Sequence, residues 1–412
     1  MTRKIGVNSL FWKLYFLMVA LPLHASNKIL TYLSVTGKVS IFHIVLFLML
    51  IWIFSDKISK NGFVIYRRNI ILGLFSLSMI ATFFVGMRDA HHIFNNVIGD
   101  GIMYFLSIAI VWIVRSDSFE DVAVDWFLTY TFKALTVNLV INVIMYATQG
   151  LSFWGLQSYN GGRFGGGYLS LLVVTVIYGV YDYLYKKSIP TKLLILHIVL
   201  AVFCSVLSQS RTHVILSFVG CLMLFIPMGK SISKAYFFRI LIIALVGTVG
   251  IVALLNGNSE LVQRILNMDV TSDTETTASR IITWTYYWRL IKKTPWGTGF
   301  GEILYFINPS MTIAKATATY YVDNAVAVVM YKCGWIGGAL YLGYVLVTPI
   351  RMLSVWKSTH KKEFLLFAVI FLMLILSVMI LTSQVIHTYA VNVFIWTTIS
   401  LTYRWSKTEE SK

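Results

Sequence analysis

The sequence predicts an all-α polytopic integral membrane protein with about twelve transmembrane helices and one large helical loop outside the bilayer. Three observations carry this: 58% of the 412 residues are hydrophobic, only 12% are charged, and apolar windows of spanning length recur along most of the chain. With a mean hydropathy of +0.75, so much apolar side chain cannot be hidden from water in a soluble fold.

Windows of roughly 16 to 25 residues, the length that crosses a ~30 Å hydrocarbon core, fall near 10–24, 39–55, 70–87, 97–114, 126–147, 167–184, 192–209, 212–228, 237–255, 324–348, 364–383 and 385–402. The first follows a basic start and precedes a small residue, Ala25, so it imitates a secretory signal peptide; we read it as an uncleaved first helix. Two spans meet at SQSRTH (208–213) with almost no connector, a turn that is tolerable where protein surrounds it. The chain then forms one transmembrane domain, 1–412, with 256–322 as the long loop. No internal repeat or low-complexity tract interrupts it, and proline and glycine cluster only at NGGRFGGG (160–167) and TPWGTGFGE (294–302).

An even number of spans puts both termini on one side. The segments assigned inward (1–9, 55–69, 115–125, 185–192, 229–239, 349–363, 403–412) hold 20 lysines and arginines, against 5 in the short outward segments. Only short loops orient a membrane protein, so the long loop does not enter the comparison, and both termini are expected to be cytoplasmic. The net charge of +17 is therefore read as an orientation signal, with no nucleic-acid partner. Cys204, Cys221 and Cys333 lie inside apolar runs without a CxxC pair, which indicates neither a disulfide framework nor a zinc site. No GxxxxGK[ST] and no GxGxxG opening a helix are present, so no nucleotide site is expected.

Arginines on the outer side run against the orientation bias: Arg163 in YNGGRFGGG, Arg211 in SQSRTH, Arg280 in ASRIITW and Arg289 in YYWRL, with Arg88 just before His91 and His92. A guanidinium presents a planar fork of donors to phosphate and stays charged at membrane depth, so several of them suit a lipid-linked phosphate or pyrophosphate. The alternative for each is an interfacial anchor or an ion-pair partner. Arg211 stands apart because it ends one span as the next begins, where an ionisable group is held between helices.

The stretch ASRIITWTYYWRLIKKTPWGTG (278–299) reads as an interfacial helix. Thr277 or Ser279 caps it, Ile281, Trp284, Trp288 and Ile291 form its apolar face, and Pro295 stops it. Arg280 is expected in the first turn, where free N–H groups already favour an anion, on the same face as Trp284. Trp154, Tyr159, Tyr286, Tyr287, Trp296, Tyr320 and Tyr321 at this level read either as an aromatic belt or as sugar-stacking groups. Within the spans, Lys133 can snorkel, Lys332 should face the bundle interior, and Gly334 with Gly338 should let helices approach closely.

Three blocks resemble the bacterial O-antigen polymerase (Wzy-type) and O-antigen ligase superfamily: LSQSRTHVILSF (207–218), SRIITWTYYWRLIKKTPWGTGFG (279–301) and YVDNAVAVVMYKCGWIGGALYLG (321–343). NGGRFGGG is similar to the glycine-flanked arginine of an earlier periplasmic loop in that family. Two departures count: the family's histidine before asparagine is Asp323 here, and a commonly acidic position is Lys332. Both argue for polymerase over ligase. The resemblance implies a GT-C-like fold in the bacterial inner membrane and a metal-independent inverting glycosyltransferase without cofactor. Its donor would be an undecaprenyl-pyrophosphate-linked glycan and its acceptor a fresh lipid-linked repeat unit, with membrane lipid and a chain-length regulator as partners.

In that reading Arg211 and Arg280 stabilise the leaving pyrophosphate and Asp323 is the base, with a helix cap as its alternative role. Arg163, Arg289, Trp284, Tyr321, Asn324, Arg88 and His91 bind substrate. No outward D-x-D appears, and the first outward loop, SNKILTYLSVTGK, lacks the acids with which metal-dependent membrane glycosyltransferases hold a cation. The competing classes are an O-antigen ligase, which transfers the glycan to the lipid A core, and a lipid-linked oligosaccharide flippase. A flippase would carry cations along an inner cavity between two related halves. DKISKNGFVIYRRN (56–69) only faintly resembles the acidic-basic loop of major-facilitator transporters.

Overall fold

A computed structural model of the chain describes residues 7–21, 34–36, 39–61, 70–89, 94–149, 169–208, 211–228, 274–306, 317–319, 322, 324–380 and 388–410. The helices are α1 (Val7–Ala20), α2 (Ile41–Asn61), α3 (Ile70–Arg88), α4 (Phe94–Val114), α5 (Val124–Gln149), α6 (Leu169–Tyr181), α7 (Thr191–Ser208), α8 (Arg211–Met228), α9 (Thr274–Lys293), α10 (Ala325–Thr359), α11 (Lys362–Ile375) and α12 (Tyr389–Glu410). Single π-helical turns extend α6 (Asp182–Lys186) and α11 (Leu376–Ile380). Two short antiparallel ladders complete the described elements: β1 (Ser34–Thr36) with β2 (Val39–Ser40), and β3 (Leu304–Phe306) with β4 (Thr317–Thr319).

The protein is a multi-pass helical membrane bundle. Among the described residues six helices are long and apolar enough to cross a membrane, α2 to α5, α10 and α11 with its π turn. The expected count of twelve spans is not reached there, for identifiable reasons. The window 237–255 lies outside the described residues. At 1.5 Å per residue, the 14 residues of α1 and 13 of α6 fall short of the hydrocarbon thickness. α12 is long enough but carries Asn392, Thr397, Thr398, Ser400 and Thr402. That composition fits its position: every residue from Tyr389 to Thr402 is buried, against α1, α4 and α10. A helix surrounded by protein has no lipid-facing side to keep apolar. The outer wall is instead formed by α2 and α3, whose Leu48, Ile51, Trp52, Ile71, Leu77 and Phe84 are exposed apolar side chains.

Ion pairs fix one end of the bundle. Lys186 bonds both Asp125 and Glu363, Arg404 bonds Asp121 at 2.5 Å, Lys361 bonds Glu409 at 2.6 Å, and Asn8 donates to Glu120 at 2.8 Å. Each of these links joins segments that the lysine and arginine distribution assigned to the same side. At the opposite end the Ser170 hydroxyl lies 2.9 Å from His213 Nε2, joining the starts of α6 and α8. β2 and the start of α2 meet the start of α12 there, with the His43 and Tyr389 rings 5.1 Å apart.

Candidate active site

The site is built around a loop that re-pairs a broken helix. α9 ends as Thr294 turns its amide and hydroxyl back to Leu290 O, and Pro295 prevents continuation. In the next seven residues Gly297, Gly299 and Gly301 take φ of 81°, 87° and 91°, the left-handed region that disfavours any side chain. This alternation lays PWGTGFG across the first turns of α10, which is itself interrupted at Gly334, with φ of 70°.

In an unbroken helix the Trp335 amide would donate to Tyr331 O. Here Trp335 N donates to Pro295 O at 2.9 Å, while Tyr331 O accepts from Thr298 N at 3.0 Å. Gly299 N donates to Lys332 O at 3.0 Å, and the Trp335 indole N–H to Ile291 O at 3.3 Å. The Trp335 amide and the Tyr331 and Lys332 carbonyls are thereby bonded to the loop, which offsets the cost of unmet backbone hydrogen bonds at the break. Gly334 therefore serves loop docking, not the helix–helix approach expected from its spacing with Gly338: a Cβ on Gly334 would stand 2.5 Å from the Trp296 carbonyl carbon.

The loop also touches α3 and α4. Phe300 stacks on Tyr104 with ring centroids 4.7 Å apart, and a Cβ on Gly86 would stand 2.2 Å from Phe300 O. Beneath it, Lys332 Nζ lies 2.5 Å from Asp100 Oδ2, the two side chains 0% and 8% exposed. The same carboxylate oxygen accepts the Gly301 amide at 2.9 Å. Lys332 faces the interior, as its depth in the span implied. Its partner was not singled out in the sequence, although one signal existed: opposite charges inside membrane spans are expected to pair.

α9 starts earlier than its punctuation suggested, at Thr274, so Thr277 and Ser279 are internal and Arg280 lies in the second turn. Arg280 therefore does not lie beside the free N–H groups of the helix start, as its expected place in the first turn implied. The docked face of α9 is Thr283, Tyr287 and Ile291, each buried, whereas Ile281 and Trp288 are exposed. Tyr287 packs edge-on to Tyr331 of α10 at 5.4 Å, accepts from Tyr305 N at 2.6 Å, and donates to Tyr305 O. Burial holds its phenol well above the usual tyrosine range, which keeps it a protonated donor.

Seven and eleven residues at 100° per residue put Arg280 on the Tyr287 and Ile291 face, half-buried, with half-buried Trp284 beside it. Arg289 is exposed and nine residues on, so the helix turns it to the opposite side from Arg280. Arg88 is exposed at the end of α3, two residues beyond the Gly86 contact with the loop. Asn324 is the N-cap of α10, its side-chain oxygen accepting from Ala327 N at 3.0 Å. Arg211 opens α8 at the end of the bundle where α10 also begins, since α8 runs alongside α6 and the far end of α6 meets Glu363. Arg163, His91, Tyr321 and Asp323 lie outside the described residues.

Arg211 and Arg280 thus belong to two helices, α8 and α9, at the end of the bundle that also carries the glycine loop. No curated protein matches the chain. Residues 196–342 match the family described as O-antigen ligase. The matched segment runs from α7 through α8 and α9 to the Gly334 break and just beyond, and over these residues the chain is similar to that family.

Proposed function

We propose that the protein is a surface-polysaccharide polymerase of the bacterial inner membrane, with its loop end periplasmic and both termini cytoplasmic. It transfers an undecaprenyl-pyrophosphate-linked glycan onto a new lipid-linked repeat unit. The acceptor hydroxyl attacks the anomeric carbon from the face opposite the leaving group, and its proton passes to Asp323. The anomeric carbon–oxygen bond breaks and the lipid pyrophosphate leaves with the electron pair, its developing charge met by Arg211 and Arg280. Arg88, Arg163, Arg289, His91, Trp284, Tyr321 and Asn324 are assigned to substrate binding.

The observation that carries the reading is the loop of the matched segment docked into broken α10 beside α9, with the half-buried Arg280 on the docked face. Catalysis by positioned cations needs such a fixed frame, because an electrostatic contact is effective only where it need not reorganise. The description of the matched family favours a second reading, O-antigen ligase. A gel of surface polysaccharide from a deletion strain separates them: one repeat unit on each lipid A core is the result expected of a polymerase. Core without any repeat unit would overturn the proposal in favour of ligase or flippase.

A further inference from the structure

We propose that Asp100 is the anchor of the glycine loop, and that Asp100 and Lys332 are positioning residues which hold α9, and with it Arg280, in register with the break in α10. The role in transfer rests on the reading given under Proposed function; the anchoring itself does not.

Three features lead to it. First, one oxygen of Asp100 receives two donors from distant segments, the Lys332 ammonium at 2.5 Å and the Gly301 amide at 2.9 Å. Second, the pair is nearly sealed from solvent, and burying two charges is costly unless both are fully engaged. An apolar pair of similar size is often as stable, so a buried pair is better explained by what it specifies than by what it stabilises. Third, the Gly301 amide has no helix or strand partner, and its glycine sits at φ of 91° with a phantom Cβ 2.8 Å from Val97 Cγ2. The backbone is pressed onto the start of α4 at the one point where Asp100 can receive it.

The chain of contacts is continuous from anchor to arginine. Lys332 lends its carbonyl to Gly299 and its ammonium to Asp100, so the loop is held on both sides of Phe300. The loop carries Pro295, whose carbonyl holds Trp335, and the Trp335 indole in turn holds Ile291 O of α9. Asp100 therefore acts through the loop on α9 and touches no reacting group. A lysine at position 332 fits this device, since it is the carboxylate, supplied from α4, that must be free to accept the loop amide.

The test compares two uncharged double variants of the full-length protein. Asp100→Asn with Lys332→Met keeps an acceptor for Gly301 N–H, whereas Asp100→Leu with Lys332→Met removes it. Hydrogen exchange of the peptide covering 297–303 is expected to stay slow in the first and to become fast in the second. With lipid-linked repeat units, kcat should fall by roughly 10²-fold in the second variant, the scale of a misplacement of about 1 Å, with KM little changed. Equal protection of the loop in both variants overturns the anchor, and so does loss of protection in both. A released loop with unaltered kcat overturns the positioning role. If the leucine variant does not accumulate, Asp100→Glu retains the charge but displaces the oxygen, and unchanged exchange and kcat there overturn the proposal. Should even the unmodified protein transfer no glycan, the exchange result still decides the anchor, and the functional reading alone falls.

Discussion

The Gly299 amide donates to the carbonyl of Lys332 across a 3.0 Å hydrogen bond, although Lys332 lies within a helix whose carbonyls would ordinarily serve residues four further on. That bond exists because α10 is unwound at Gly334. The segment preceding the bundle's longest described helix and the helix itself thus form one unit, and changes to either side should be felt by the other.

Gly334→Ala is the direct probe of the unit. Gly334 has φ of 70° and ψ of −174°, a conformation essentially reserved for glycine that costs another residue about 1–3 kcal/mol, and the added carbon would stand 2.6 Å from Pro295 O as well as against Trp296. The expected outcome is a bundle that still inserts, a lower thermal midpoint in detergent, and rapid proteolysis between 294 and 303. Gly343→Ala, with nothing within 4 Å of the new carbon, is the matched control and should leave all three unchanged.

Arg280→Ala and Arg211→Ala should leave membrane levels intact and abolish polymer, while single repeat units still reach the surface. Loss of one preorganised contact to developing charge typically lowers the rate by about 10²–10³-fold. Normal polymer length on a polysaccharide gel with either variant would remove that residue from the site.

Asn324 separates capping from substrate binding. Replacing the cap by alanine costs about 1 kcal/mol, whereas serine can still accept from Ala327 N. Thermal unfolding should therefore drop for Asn324→Ala and hold for Asn324→Ser. If glycan transfer follows stability in both variants, Asn324 acts as a cap alone; loss of transfer in the stable serine variant assigns it to the substrate.

Orientation is open to labelling because Cys204, Cys221 and Cys333 are all buried. Trp296→Cys, at a side chain 80% exposed on the loop, should react with an impermeant maleimide added to spheroplasts. Ser358→Cys, exposed at the ion-paired end, should react only after permeabilisation. The reverse pattern would invert the assigned topology.

Transfer is also expected to proceed in EDTA. Purified protein supplied with lipid-linked repeat units should lengthen them at an undiminished rate, and a requirement for magnesium would replace the arginine-based mechanism.

Much of this protein follows from local pattern. Apolar runs located most of the helices, and of the segments that lysine and arginine counts put on one side, those carrying Lys186, Asp125, Glu363 and Arg404 meet at one end of the bundle. The block at 279–301 was legible as a helix stopped by proline and followed by a glycine turn, because proline and glycine act through their own backbone geometry. The face that docks on the bundle was not legible: periodicity turned Ile281 and Trp288 toward the interface, and tertiary docking selects Thr283, Tyr287 and Ile291. A helix at an interface has two apolar environments, lipid and protein, and hydropathy does not distinguish them.

By itself, then, the sequence determined that the chain is a multi-pass helical membrane protein and where most of its helices lie. Only the tertiary structure decided that Asp100 receives both Lys332 and Gly301, residues 232 and 201 positions away, and that α10 opens to take in the loop. The physical reason is range: hydrophobic burial and backbone propensity are written in neighbouring residues, whereas a buried charge finds its partner only when distant helices have already closed around it.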